Sequence, residues 1–514
     1  MGMKKLCALM LATVMGIGAV TGCGNGNANS NGSGNSSGSD VSENKEDPYE
    51  IVIELMNFGT THPDEAEVVE AINNITLPAI NATVKFLPVA IPDHATKLGL
   101  LAAGGDKLDL IVAGVTVSPA NLVADGVLTD LTDLLPDNAP DLVAMEGDLM
   151  ASGTYDGRVY TLSGTLYPGA KKGLLYNKDM AEEYGINVPE KLDTFEDWDA
   201  FLKECKEKLP ENVYPLTLGD GGAENAWNIG YFDAMGDSSY LTYGVLTDIV
   251  DGTEVSNWYE SDTYKELVTK KHEWYDAGYC VPDSMTSGFT ANDDMKAGKC
   301  FMKFDGLGAA KNEANCGSSL AINMGAIVLA DSIVTNTDIY KYNWGVPITS
   351  EKPEKVVQFL NLLFTNPDLM NLLNFGIEGK HWVKTAENSK VITYPEGVTA
   401  ADVGWSGAPA WWGDHEQAYT LTPNTDEYYT LIKTYGVEDS VISNALGYTF
   451  DTTNVKTELA AIQNVIDTYR PSLECGLVDV DTELPKFQQA LKDAGIDKVI
   501  EENQKQFTEW LSKK

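Results

Sequence analysis

From Tyr49 onward the chain switches repeatedly between short β-type apolar runs and stretches of helical period, and this alternation limits its fold more than any other feature. Residues 51–56 (IVIELM) form a strand-like run, followed by a loop over 57–61 and a helical stretch over 64–73. Residues 82–87 (ATVKFL) read as the next strand, 94–103 as a helix and 108–113 (LDLIVA) as a buried strand. Strand, helix, strand, helix requires parallel βαβ units, because each crossover helix must return the chain to the same end of the sheet. The expected fold class is therefore α/β, and 514 residues leave room for about two or three domains. In open sheets of this kind, ligands gather outside the carboxyl ends of the strands. The loops at 57–61 and 113–118 occupy that position, which makes Asn57, Thr60 and Thr116 polar candidates for ligand contact.

The residues before Tyr49 follow other rules. Lys4 and Lys5 precede an apolar stretch over 6–20 that is shorter than a bilayer span requires. Val20, Thr21, Gly22 and Cys23 then follow the aliphatic, small, small, cysteine pattern of a lipoprotein cleavage site. The expectation is a signal peptide over 1–22, with a diacylglyceryl group on Cys23 as the first residue of the mature chain. Residues 24–47 are mostly Gly, Asn and Ser and lack the apolar groups that offset chain entropy, so 23–47 reads as a lipidated cysteine and a disordered tether. A flexible segment of that length spans roughly 25–30 Å. The body would then sit at the extracellular face of the cytoplasmic membrane, held by the lipid alone. Loss of Lys4 and Lys5 would take the net charge from −40 to −42.

With 76 acidic against 36 basic residues, the surface repels phosphate backbones and anionic headgroups, so nucleic acid is not an expected partner. Beyond Cys7 and Cys23 the cysteines are Cys205, Cys280, Cys300, Cys316 and Cys475, odd in number and without a CxxC pair. They read either as one disulfide with spare thiols or as small buried hydrophobes. His62, His94, His272, His381 and His415 show no metal-ligand spacing, and neither a GxSxG elbow nor a P-loop is present. Asp479 and Asp481 lack the glycine and distal glutamate of a calcium loop and read as a solvated turn. No cofactor, metal or enzymatic activity is expected. A glycosidase, which needs only two carboxylates across a cleft, stays open as an alternative.

Several segments recur in a particular order. They are 173–180 (GLLYNKDM), a short helix over 181–186, 194–198 (TFEDW) opening the next helix, 298–306 (GKCFMKFDG) and 351–360 (EKPEKVVQFL). The series resembles family 1 of the extracellular solute-binding proteins of ABC transporters, the maltose-binding-protein-like proteins. Residues 374–382 (NFGIEGKHW) and 446–453 (LGYTFDTT) resemble a Firmicutes lipoprotein branch of it with a characteristic C-terminal domain. The resemblance runs from about residue 50 to the C-terminus. It implies a periplasmic-binding-protein-like fold, two α/β lobes joined by hinge segments with a ligand cleft between them. Lobe one would hold 48–168 and 347–395, the hinges 169–173 and 343–346, and lobe two 174–342 and 396–514 with the C-terminal domain. It also implies a monomer that captures an oligosaccharide by lobe closure and delivers it to ABC permease subunits. A surface glycoside hydrolase, a non-transport glycan adhesin and a peptide-binding protein remain alternatives.

Sugars present C–H faces to aromatic rings and a rim of hydroxyls to carboxylates and amides. The richest aromatic stretch is 404–414, where Trp405, Trp411 and Trp412 are broken by Gly and Pro. It reads as a stacking platform or as a loop buried against the core. Trp227 follows a strand and a Gly-rich loop, Tyr167 precedes the expected first hinge, and Trp344 sits in the second. Phe450 falls where the resemblance implies a sugar-stacking aromatic, and Asp305 ends an expected strand near the cleft. Trp198, Trp274 and Trp510 fall at helical spacing and are expected in the core.

Overall fold

The computed structural model describes residues 46–57, 61–102, 107–218, 232–235, 244–282, 290–307, 320–340, 343–407, 412–426 and 440–514, with 428, 430, 433, 434 and 436. The expected signal peptide, Cys23 and the expected tether up to residue 45 lie outside the described residues. The body begins with β1 (Tyr49–Asn57), α1 (Glu65–Ile80), β2 (Ala82–Ala90), α2 (Ile91–Ala102), β3 (Ile111–Ala113) and β4 (Thr161–Ser163). There follow β5 (Lys172–Asn177), α3 (Phe195–Lys208), β6 (Tyr214–Thr217), α4 (Asp262–Asp276), β7 (Cys300–Gly306) and β8 (Met324–Ala330). The chain continues through β9 (Ser332–Val334), β10 (Asn343–Gly345), α5 (Pro353–Thr365) and α6 (Pro367–Phe375). It ends with β11 (Ser440–Ile442), α7 (Lys456–Glu474), α8 (Val480–Ala494) and α9 (Ile496–Leu511).

In lobe one, β1 and β2 pair in parallel from Tyr49–Ala82 to Asn57–Ala90. Residues 51–56 of β1 are all buried, because a parallel strand is covered on both faces, and this is why its sequence is a continuous apolar run. β2 carries Pro88, whose missing N–H costs no ladder bond on an edge strand. The backbone N–H of Glu54 donates to Leu110 O at 2.8 Å, and that of Asp109 to Val52 O at 2.8 Å, which sets β3 beside β1. β10 lies antiparallel between β3 and β4, with Trp344 opposite both Val112 and Leu162. The strand order is β2-β1-β3-β10-β4. Asp109, fully buried, accepts from Tyr49 Oη (2.6 Å), Val52 N (2.8 Å) and Ser350 Oγ (2.6 Å), so its charge is met by three donors.

In lobe two, the order is β8-β5-β7-β6, with β5 antiparallel to both neighbours and β6 parallel to β7. α3 starts at a capping box in which Thr194 and Asp197 satisfy each other's backbone N–H groups. Trp198 on α3 stacks on Trp274 of α4, with ring centres 5.2 Å apart. Trp510 packs on Tyr448 and Phe507, so the three helix tryptophans serve packing as expected. α7, α8 and α9 share a core with Trp258, Tyr259, Tyr264 and Phe450. Asp479, expected in a solvated turn, is instead the N-cap of α8 and accepts from Thr482 N at 2.9 Å. Cys205, Cys280, Cys300 and Cys475 are buried free thiols, while Cys316 lies outside the described residues.

The expected lobe boundaries need correction. Trp405, Trp412 and Ala418 belong to the same core as Ile53, Val112, Phe359 and Leu363, so the chain does not leave lobe one at residue 396. The segment expected as a hinge at 343–346 is β10 of the lobe-one sheet. Further on, β11 pairs in parallel with β9. Three chain segments meet at Gly169. A Cβ there would lie 2.4 Å from both Ser332 Oγ and Ser440 Oγ and 2.9 Å from Gly436 O, so only glycine permits the approach.

Candidate functional site

The carboxyl ends of β3 and β4 flank the start of β10, with Ala113 and Ser163 both opposite Asn343. Asn57, half-buried, closes β1, and Thr60 lies outside the described residues. The far side of this loop is fastened by Asp64, which accepts from Lys380 Nζ at 2.8 Å and from His381 Nε2 at 3.2 Å. His381 Nδ1 accepts from Ile377 N at 2.8 Å, so the ring proton sits on Nε2 and faces Asp64. Lys380 first, then His381, holds the Asp64 carboxyl below the usual carboxylate range. The motif at 374–382 thus forms the base of the β1 loop.

The β3 loop begins at Gly114, with φ +117° and an imagined Cβ 2.0 Å from Tyr340 O, a place no other residue fits. Two residues on, Thr116 is exposed and its Oγ1 lies 2.6 Å from His94 Nδ1. His94 Nε2 is 3.1 Å from Val112 O and 3.2 Å from Glu54 Oε1, and Glu54 Oε2 accepts from Val112 N at 2.9 Å. Both His94 and Glu54 are fully buried. Sequence reasoning missed this pair, although a carboxylate inside the apolar run 51–56 was a signal that could have found it.

Beyond β4, Ser163 and Thr165 exchange hydrogen bonds that shape the turn into the first crossing. Tyr167 Oη then donates to Asp414 Oδ1 at 2.9 Å and Glu416 Oε2 at 3.2 Å. Burial, then these two carboxylates, hold the phenol well above its usual range, so it stays a donor. On the lobe-two side, Asp305 sits near the end of β7 opposite Gly173 of β5. It pairs with Lys303 and accepts from Gly306 N at 2.8 Å. Thr116, Tyr167 and Asp305 therefore stand on strand ends and crossing segments, where hydroxyl and carboxylate groups suit a polyhydroxylated ligand.

The aromatic candidates are placed otherwise. Trp344, Trp405 and Trp412 are each 1% exposed and belong to the lobe-one core, which corrects the stacking role expected of them. Their faces are covered: Trp344 lies 4.7 Å from Trp412, and Phe86 lies 5.4 Å from Trp405. The indole N–H of Trp405 donates to Leu373 O at 3.0 Å and that of Trp412 to Gly407 O, so neither has a polar edge left for a sugar. Phe450 is likewise buried in the C-terminal core. Trp227 and Trp411 lie outside the described residues. A surface recess of about 320 Å³ between α3 and α4, lined by Asp199, Lys203, Glu273 and Tyr279 among others, shares no residue with these loops.

Residues 80–370, more than half of the chain, match the bacterial extracellular solute-binding protein family. The chain belongs to that family. Residues 444–512 of this solute-binding protein match a domain of unknown function, DUF3502, which spans α7, α8 and α9. The protein is 26% identical to a carbohydrate ABC transporter substrate-binding protein of Streptococcus pneumoniae, over 90% of this chain and 91% of that one. It is similar to the crystal structure of NgtS, the N-glycan transport solute binding protein of the same species, with TM-score 0.78, 25% identity, and coverage of 90% and 99% of the two chains. NgtS in complex with Man1GlcNAc gives TM-score 0.67 at 26% identity and the same coverage. The complex with Man5GlcNAc gives 0.65 at 25% identity, covering 91% and 99%. These relatives are binding proteins, and the expected two-lobe α/β architecture is that of the family. Among the described residues, no helix is long and apolar enough to cross a membrane.

Proposed function

We propose that this solute-binding protein captures an oligosaccharide of the N-glycan class and hands it to ABC permease subunits, with no chemical change to the sugar. The observation that carries the reading is the similarity to NgtS along 90% of this chain and 99% of that one. The polar groups of Thr116, Tyr167 and Asp305 on either side of the crossings support it. Lobe closure about the crossing segments would then enclose the glycan and create the surface that the permease reads. The protein acts as a monomer, tethered through a lipid on Cys23 at the outer face of the membrane.

Titration calorimetry with Man5GlcNAc and a panel of unrelated oligosaccharides and peptides tests this. Heat release with Man5GlcNAc, and intact glycan recovered afterwards, is the expected result. Recovery of shortened glycan would overturn capture in favour of hydrolysis, and binding of peptides alone would overturn the ligand class. Mass spectrometry of the membrane fraction should find the diacylglyceryl group on Cys23, and a soluble chain with a free Cys23 thiol would refute the anchor.

A further inference from the structure

We propose that His94 and Glu54 form a buried ion pair that positions the hydroxyl of Thr116 as a hydrogen-bond donor to the bound ligand. The inference deepens the function proposed above and rests on it for the identity of the ligand.

The argument begins with Glu54. Its carboxylate has no solvent exposure and lies in the middle of β1, covered on both faces. One oxygen, Oε2, accepts from Val112 N at 2.9 Å. The other, Oε1, has no assigned hydrogen bond among the described residues and lies 3.2 Å from His94 Nε2. A buried carboxylate oxygen needs a hydrogen-bond donor or a positive charge beside it, and a charged imidazole supplies both. His94 is the cation-capable group at that distance among the described residues.

His94 fits that charge by its own contacts. Nε2 faces Val112 O at 3.1 Å and Glu54 Oε1, both acceptors, so Nε2 carries a proton. In the charged ring Nδ1 carries one as well, and it points at Thr116 Oγ1, 2.6 Å away. Thr116 then accepts from the ring, and its own proton turns away from the protein. In a neutral ring the polarity would reverse: Thr116 would give its proton to Nδ1 and could only accept from a ligand. Glu54, itself out of reach of any ligand, thus sets through His94 which half of a hydrogen bond the loop offers. Gly114, wedged against Tyr340, fixes the loop so that this choice is presented at one place. His94 and Glu54 are positioning residues, and Thr116 is the group that touches the ligand.

Nitrogen NMR of ring-labelled histidine on the unliganded protein at pH 7, with the His94 signal assigned by its loss in His94→Gln, reads the first half directly. Two protonated ring nitrogens are expected, and a neutral ring overturns the ion pair whatever the ligand. Titration with Man5GlcNAc of Thr116→Val, Glu54→Gln and the double variant reads the second half. Each single change should weaken binding about tenfold, and the double variant should bind no worse than Thr116→Val, because both changes remove one interaction. Effects that add would overturn the coupling, as would wild-type affinity in Thr116→Val. Thr116→Ser, which restores the hydroxyl, should return affinity to near wild-type and keeps the test open if Glu54→Gln fails to fold. A wild-type protein that binds no glycan refutes the proposed function, and the ring readout then decides the ion pair alone.

Discussion

Replacing Glu146 by Gln should abolish a large pH dependence of stability. Glu146 is 3% exposed; its Oε1 accepts from Ser163 N at 2.9 Å, and Oε2 finds no hydrogen-bond partner among the described residues. Burial outweighs the Ser163 donor and raises the carboxyl from 4.5 to about 8. The folded chain therefore holds the Glu146 proton up to about pH 8, while the unfolded chain releases it near 4.5. The stability this group contributes is fully present below pH 4.5 and is lost as pH rises through 8. At about 1.4 kcal/mol per pH unit, the loss across that window reaches at most about 5 kcal/mol. Gln keeps a carbonyl acceptor for Ser163 N and nearly the same volume but does not ionise. All other titrating groups are common to both proteins and cancel in the difference. Urea denaturation of the two proteins at pH 5 and pH 9 is the assay. The variant should gain on the wild type by several kcal/mol between the two values, most steeply from pH 5 to 8. A difference that does not change with pH would refute the reasoning, since it would mean that Glu146 ionises alike in the folded and unfolded chains.

Three further outcomes are expected. Trp405→Ala or Trp412→Ala should cost about 3–5 kcal/mol in denaturant titrations, the cost of emptying a packed core site, and leave the affinity of the folded protein for Man5GlcNAc unchanged. A large loss of affinity without loss of stability would return these rings to the ligand. Gly114→Ala places a Cβ 2.0 Å from Tyr340 O at φ +117°, so it should displace the β3 loop and weaken glycan binding at least about tenfold; wild-type affinity would show that the loop is not near the ligand. Gly169→Ala forces apart the segments that carry Ser332 and Ser440, and X-ray scattering should show a smaller compaction on adding Man5GlcNAc than in the wild type. An equal compaction would place the hinge elsewhere.

The α/β architecture was legible because doubly covered parallel strands leave continuous apolar runs: 51–56 and 108–113 could be read directly, and β1 and β3 lie there. The lobe boundary after 395 was not, because an apolar residue shows that it is buried but not against which core. Trp405 and Trp412 both pack on Phe86, hundreds of positions away with the whole of lobe two between, and Trp412 also packs on Trp344, dozens of positions away. The same distance explains the misplaced stacking platform. A Gly- and Pro-broken aromatic stretch marks a loop with large rings. Close packing uses those small residues as well as a binding surface does, here with Gly407 against Leu373 O. Composition cannot separate the two. A misfit is more informative than a rich patch. Trp405 in a core needs only apolar neighbours and one carbonyl for its N–H, which many folds supply by chance. Glu54 in a doubly covered strand needs a donor or a countercharge to offset the loss of its hydration. That requirement points to a partner before any partner is known, and here it leads through His94 to Thr116, which the position of the β3 loop had singled out on other grounds. The tryptophan-rich loop led to the core, whereas the one carboxylate that the apolar run should not contain led to the loop at the strand ends.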